Sequence, residues 1–323
     1  MGPDDYWEEF LKKIDKTRNG LECGRNDECE PWFRGHTKSS HKLEPSLFRY
    51  FDEPNSDEQW ARIWNVESDL FWEFWARAKE LHGVIEDDWD ILFAMQHYGT
   101  PTRLLDWTEV LGVAVYFATL NVDAKRLIDE RKGQIERELA GDEIPAEERV
   151  QSPCVWVLNP YQLNRVSLSE EAEKDMGPQD LIAPRNLGWD EKKWEYWTYS
   201  ELLAAPDIDW DWPRAIYPRQ RNPRIHAQRA WFTIHGDQFI PIEKIPGHRK
   251  YARKVELPLE AIEPAREFLR NSGIDHYLLF ADLQHLSLHL QEKNGLISRM
   301  RAQRKVQELL DVREGRRRSD NPT

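Results

Sequence analysis

Apolar positions recur at helical spacing from the start of the chain. Trp7, Phe10, Leu11 and Ile14 fall on one face of residues 5–18 and predict a short amphipathic helix. A polar stretch over 19–30 leads into Pro31-Trp32-Phe33-Arg34-Gly35-His36, which reads as a short strand ending in a turn. Between Gln59 and His82 the set Trp60, Ile63, Trp64, Phe71, Phe74, Trp75 and Ala78 keeps helical spacing and predicts a core-facing helix. Asp88 to Tyr98 predicts a second helix, stopped by Gly99 and Pro101. Gly112 to Leu120, apolar and free of charge, predicts a buried helix entered from a turn at Asp106-Trp107-Thr108. Residues 123–152 are dominated by charge and read as an exposed helical insertion. Cys154 to Leu158 reads as a strand closed by Asn159-Pro160.

The second half is more irregular. Residues 185–221 are loop-rich and carry five Trp, so order there requires the segment to lie across the body of the protein. Strands are expected at Ile216-Tyr217-Pro218, Arg229 to Ile234 and Lys250 to Leu257. A helix at 259–272, Gly273, the apolar stretch Tyr277 to Leu283 and helices to about Leu310 close the pattern. The fold class expected from these elements is α+β: a mixed, mainly antiparallel sheet wrapped by helices, with a cleft between the Arg34 strand and the 96–108 turn. The expected organisation is an N-terminal helical extension over 1–30 and a main domain over 31–290. That domain carries the charged insertion at about 123–152 and a Trp-rich insertion at about 186–213. A basic C-terminal helix and tail occupy 291–323.

Fifteen Trp, twelve Phe and ten Tyr among 323 residues can fill a large core. The net charge of −13 argues against an indiscriminate polyanion binder. Charge is uneven, however: Arg299 to Arg318 holds eight Lys or Arg against three Asp or Glu. Such a tail suits nucleic acid, an acidic partner or a solvated helix end. Cys23, Cys29 and Cys154 lack zinc-ligand pairing and suit a reducing cytosol. The N-terminus lacks a signal-peptide pattern and no apolar run reaches membrane-spanning length, so a cytoplasmic protein with no membrane partner is expected.

The densest chemistry lies over Gln96 to Thr108. Besides turn formers it carries His97, Tyr98, Arg103, Asp106 and Trp107, which suits either a site or a polar staple. Arg34, at a strand end beside Gly35, can grip a phosphate or carboxylate or form a structural salt bridge. Asp106 can act chemically or cap the following helix. Gln228, where a loop meets a strand, can hold a ribose hydroxyl or bond the backbone. No Walker loop, dinucleotide-binding glycine fingerprint, zinc-binding helix or nucleophile elbow is present, and no metal is expected.

Taken together, Trp32-Phe33-Arg34-Gly35, Gln96-His97-Tyr98-Gly99 to Ala118, Arg224 to Phe232 and Gly273-Ile274 to Leu286 resemble the FRG domain, named for its Phe-Arg-Gly motif. The resemblance extends over about 30–290. Phe33-Arg34-Gly35, Leu105 to Ala118 and Gln228 are also similar in layout to the arginine strand, the strand and helix, and the late-strand glutamate of ADP-ribosyltransferases. That likeness implies an ADP-ribosyltransferase-like fold with NAD+ as substrate, and Arg34, Asp106 and Gln228 as the catalytic set. Gln228 stands where the family has glutamate, so Asp106, with Glu44 behind it, is the carboxylate left to serve as base or cation stabiliser. Arg34, His97, Tyr98, Thr102, Arg103, Trp107 and Tyr116 form the implied NAD+-binding set, with Tyr98 or Tyr116 stacked on nicotinamide. The implied function is an intracellular toxin or anti-phage defence effector modifying nucleic acid, RNA ahead of DNA, or protein, with an antitoxin or chaperone as partner. A noncatalytic nucleotide-sensing module and an NAD glycohydrolase remain the alternatives.

Overall fold

A computed structural model describes residues 2–21, 30–82, 87–167, 189–190, 195–196, 198–204, 212–216, 218, 223–236 and 238–296. The N-terminal helix α1 (Pro3–Asn19) starts on a proline with Asp4 and Asp5 in its first turn and ends on Lys16 and Arg18, charges that suit the helix dipole. Strand β1 (Trp32–His36) follows, then helices α2 (Asp57–His82) and α3 (Asp88–His97). The Asp87 side chain caps α3 by accepting from the Asp90 amide at 3.0 Å, and Gly99 at φ 80° turns the chain away after it.

Strand β2 (Leu104–Thr108) leads directly into α4 (Leu111–Thr119). This corrects the expected turn at 106–108: Asp106 is the middle residue of a strand and caps nothing, because α4 has Val110 as its N-cap without a side-chain bond. Asp is a poor strand former, but β2 is paired on both sides, and pairing overrides propensity. The charged segment holds α5 (Ala124–Leu139), capped by Asp123 and largely exposed. Next come β3 (Cys154–Leu158), α6 (Pro160–Ser167), the two-residue pair β4 (Trp189–Asp190) and β5 (Glu195–Tyr196), and α7 (Tyr199–Ala204). The chain continues through β6 (Arg214–Ile216), α8 (Pro223–Ala227), β7 (Ala230–Ile234) and β8 (Ala252–Glu256). It closes with α9 (Ile262–Asn271), α10 (His276–Phe280) and α11 (Leu283–Lys293). Most of the Trp-rich insertion and everything after Leu296, including the basic tail, lie outside the described residues.

Six strands form one open sheet in the order β6-β7-β2-β1-β3-β8, and every pairing in it is antiparallel. Alternation along each strand divides the side chains between two faces. Phe33, Val155, Val157 and Val255 pack under α1, α4 and α9. Leu104, Phe232 and Ile234, on the same side of the sheet, pack under α2, α3 and α7. The other face holds Trp32, Leu105, Trp107, Trp156 and Ala252 against Leu43, Leu163 and the 242–251 segment. Helical cover on the first face therefore comes in two blocks, with a gap between them over the junction of β1 and β2.

Two features hold that gap open. The central strands β1 and β2 are in register at Phe33 and Thr108 and splay beyond that point. Gly35 seats β1 tightly on α4: a Cβ there would stand 1.8 Å from the Ala114 carbonyl oxygen, so any larger residue would push strand and helix apart.

On the side of the sheet under α2, a fully buried ion pair locks α2 to the entry of β2. Arg103 Nε donates to Glu67 Oε1 at 2.7 Å, and Nη2 pairs with the second carboxylate oxygen. The Tyr199 hydroxyl also donates to Glu67, Arg103 Nη1 reaches the His235 carbonyl at 3.2 Å, and the guanidinium stacks 4.7 Å over the Trp64 ring. Both charged side chains are 2% exposed.

Candidate functional site

The gap above the β1–β2 splay is a cavity of about 580 Å³. That lies within the ~300–1,000 Å³ usual for small-molecule sites. Its floor is Arg34, Gly35, Asp106 and Phe232; α3 contributes Phe93, Gln96 and His97; α4 contributes Val113, Ala114 and Phe117. The loop after β1 adds Thr37, Ser40, His41, Lys42, Glu44 and Arg49, and α8 with the turn after it adds Arg224 and Gln228.

Arg34 belongs by alternation to the face of Trp32 and His36 and turns its guanidinium into the opening between β1 and β2. Nη1 donates to the Asp106 carbonyl at 2.6 Å and stands 3.6 Å from Asp106 Oδ2, while Nε donates to His36 Nε2 at 3.0 Å. An arginine has only donors, so His36 must accept through Nε2 and carry its proton on Nδ1. Among the described residues nothing accepts from Arg34 Nη2. The side chain is 17% exposed, and burial, with Arg49 nearby, lowers its pKa from the ordinary arginine value. A guanidinium held on two sides and desolvated on the third is prepared for an anion.

Asp106 offers the opposite charge. Its side chain is 51% exposed, and Oδ2 accepts from Gln96 Nε2 at 2.8 Å. The Gln96 carbonyl in turn accepts from the Thr102 hydroxyl, which itself accepts from the Leu104 amide at 3.1 Å. Gln96, which sequence reasoning did not single out, is thus the residue that orients Asp106.

Arg224 lines the same cavity as Arg34. Its Nη1 donates to the His97 carbonyl at 3.0 Å and its guanidinium lies 4.3 Å over the Phe280 ring. Its pKa is lowered by burial, against the attraction of Asp106 and Asp282. Gln228 lines the cavity with its Nε2 donating to the Leu279 carbonyl at 3.1 Å, while its main-chain carbonyl accepts from the Thr108 hydroxyl. Arg34, Lys42, Arg49 and Arg224 line the cavity against two carboxylates, Glu44 and Asp106. The site is therefore cationic within a chain of net charge −13.

The structure thus brings Arg34, His97, Asp106, Trp107 and Gln228 to one cavity, together with Glu44. It places the other sequence candidates elsewhere. Arg103 is consumed by the Glu67 pair, and Thr102 is buried behind Gln96. Tyr116 is buried with its hydroxyl on His276 Nδ1, so it offers no ring to this cavity. Tyr98 follows the lining residue His97 but is 60% exposed outside the cavity. The Phe and Trp side chains that line it are Phe33, Phe93, Trp107, Phe117 and Phe232. His36, Thr37, Ser40, His41, Lys42, Arg49 and Arg224 were missed as site residues. A run of hydroxyls and cations directly after the Arg34 strand was the available signal.

The buried histidines give the fold an acid limit. Burial and the Arg34 charge push His36 down to about 2; burial and Arg103 push His235 down to about 3. Both are neutral in the fold and titrate near 6.5 once unfolded, so between those values the unfolded chain binds more protons. Their stabilisation is complete above pH 6.5 and falls on acidification, by up to ~1.4 kcal/mol per pH unit for each group. Urea midpoints measured at pH 7.5, 6.0 and 5.0 should decrease, and His235→Leu should flatten the trend; midpoints independent of pH would refute it.

Residues 30–126 match the FRG domain family. The matched segment runs from β1 through α4 and carries Arg34, Gly35, Gln96 and Asp106, while Arg224 and Gln228 enter the site from beyond it. No curated protein and no solved structure matches the chain. None of these comparisons supports the resemblance to ADP-ribosyltransferases. Among the described residues, no cluster of His, Cys, Asp and Glu suits a metal ion, and no helix is long and apolar enough to cross a membrane.

Proposed function

We propose that the cavity binds NAD+ as substrate and that the protein transfers its ADP-ribosyl group to an acceptor. The observation that carries this reading is the pairing of a desolvated, pre-oriented Arg34 with the exposed carboxylate of Asp106 in one cationic cavity. Arg34 and Arg224 hold the diphosphate, and the apolar wall of Phe93, Phe117 and Phe232 takes the rings. Cleavage of the nicotinamide–ribose bond sends its electron pair to the pyridinium ring, which leaves as neutral nicotinamide, and leaves an oxocarbenium-like sugar. Asp106 stabilises that cation and takes the proton from the acceptor as the acceptor's lone pair bonds to the anomeric carbon. With water as acceptor the same steps give hydrolysis.

A second reading, a nucleotide sensor without turnover, draws on Gln228. Its amide is tied to Leu279 and supplies no carboxylate to the cavity. Incubation with labelled NAD+ and RNA, DNA or protein extracts separates these readings. Label on an acceptor supports transfer, free ADP-ribose supports hydrolysis, and binding without turnover supports the sensor. Arg34→Ala should weaken NAD+ binding at least about 100-fold, the value of about two charge-assisted hydrogen bonds, with far-UV circular dichroism confirming that the variant is folded. Calorimetric titration measures this, and unchanged affinity would remove Arg34 from the site.

A further inference from the structure

The mouth of the cavity has a second set of groups that NAD+ binding leaves unused. Thr37, Ser40, His41 and Lys42 line it from the loop after β1, and Arg49 lines it from the short helical turn Phe48–Tyr50. This loop is fixed from behind at Ser39. The Ser39 amide donates to the Ser152 carbonyl at 2.7 Å, its hydroxyl to Gln151 Oε1 at 2.9 Å, and its carbonyl accepts from Lys254 Nζ at 2.7 Å. Arg49 is steadied by donating Nη2 to the Glu44 carbonyl at 2.9 Å. The result is a ledge of hydroxyls and cations whose backbone is held in place in the free protein, with the Glu44 carboxylate 3.8 Å from Lys42.

Two large exposed aromatic side chains adjoin lining residues in the chain. Tyr50 directly follows Arg49 and is 72% exposed; Tyr98 directly follows His97 and is 60% exposed. Cations that track a phosphate backbone, with exposed rings on which bases stack, are the two ingredients of single-strand binding. Asp52 and Glu53 follow Tyr50 without lining the cavity, and the chain as a whole is acidic, so the contact is short and local to the mouth. A duplex presents its bases already stacked and offers nothing to these rings.

We propose that the cavity mouth seats a short single-stranded nucleic acid, its phosphodiesters on Ser40, Lys42 and Arg49 and its bases on Tyr50 and Tyr98, as the acceptor of the transfer. The acceptor role rests on the NAD+ reading; the seat itself does not. Fluorescein-labelled single-stranded RNA and DNA octamers test it by anisotropy at 50 and 200 mM salt, with NAD+ binding followed separately by calorimetry. Octamer affinity should fall about 10-fold across that salt range, as for two or three neutralised phosphates. Lys42→Ala with Arg49→Ala should weaken binding and flatten the salt dependence. Tyr50→Ala should weaken it about 10-fold with the salt dependence intact and NAD+ affinity unchanged. The relative strength of the two octamers tells RNA from DNA. Octamer binding lost in these variants without any NAD+ binding would keep the seat and refute the NAD+ reading. NAD+ binding without octamer binding, octamer binding indifferent to the variants, or label passing only to protein would each overturn the proposal.

Discussion

Asp106→Asn is expected to bind NAD+ with near wild-type affinity and to lose transfer or hydrolysis by about a thousandfold, ~4 kcal/mol of barrier. The substitution is close to isosteric. Asparagine keeps an oxygen for the 2.8 Å bond from Gln96, and the main-chain carbonyl that receives Arg34 is untouched, so the arginine stays in place. What disappears is the negative charge and the capacity to take a proton. Single-turnover assays with saturating labelled NAD+ isolate this effect from binding. Turnover within tenfold of wild type would exclude Asp106 as the base and return attention to Glu44, whose carboxylate stands 3.8 Å from Lys42.

The second large effect is on stability. Glu67→Ala should cost ~3–5 kcal/mol, because it strands the Arg103 guanidinium and the Tyr199 hydroxyl in a region with almost no access to water. Glu67→Met combined with Arg103→Met should recover the share of that loss due to the stranded guanidinium, since an apolar pair of similar volume removes the charge as well as its partner, while the Tyr199 hydroxyl still lacks Glu67. Urea unfolding of both variants gives the comparison. A single-variant loss below 1 kcal/mol, or a double variant no better than the single, would contradict this account. Activity of the double variant should survive, because the pair lies outside the cavity.

The same pair shows where sequence was readable and where it was not. Helices α1, α2, α3 and α4 and strands β1, β3 and β7 follow from apolar periodicity, with bounds displaced by a few residues at most. Strand β2 was hidden because Gly99, Pro101 and Asp106 are turn and cap residues by local preference, and its strand character comes from pairing with β1 and β7. Arg103 sits three residues from Asp106, and chain proximity drew both into one site. The structure separates them because Glu67 lies with Ile63, Phe71 and Ala78 on the buried face of α2 and claims the arginine. Arg34 and Gln228 stood out as polar residues at the ends of expected strands and Asp106 as a carboxylate in a dense polar stretch, and one cavity brings the three together. The 37–49 ledge was not legible, since its residues are ordinary loop formers whose meaning depends on where Ser39 pins them.

The triplet Phe33-Arg34-Gly35 does three jobs in three consecutive positions: core filling, placing a guanidinium on the cavity, and close approach to α4. Side chains alternate along β1, so these jobs cannot be exchanged one at a time. Inserting or deleting a single residue just before Phe33 would turn an aromatic ring toward the site of the guanidinium and the guanidinium toward oil, and would press a Cβ against the Ala114 carbonyl. The motif is therefore tolerant of nothing that changes its phase, and relatives that share the architecture should vary in loop length on either side of the triplet but never within it.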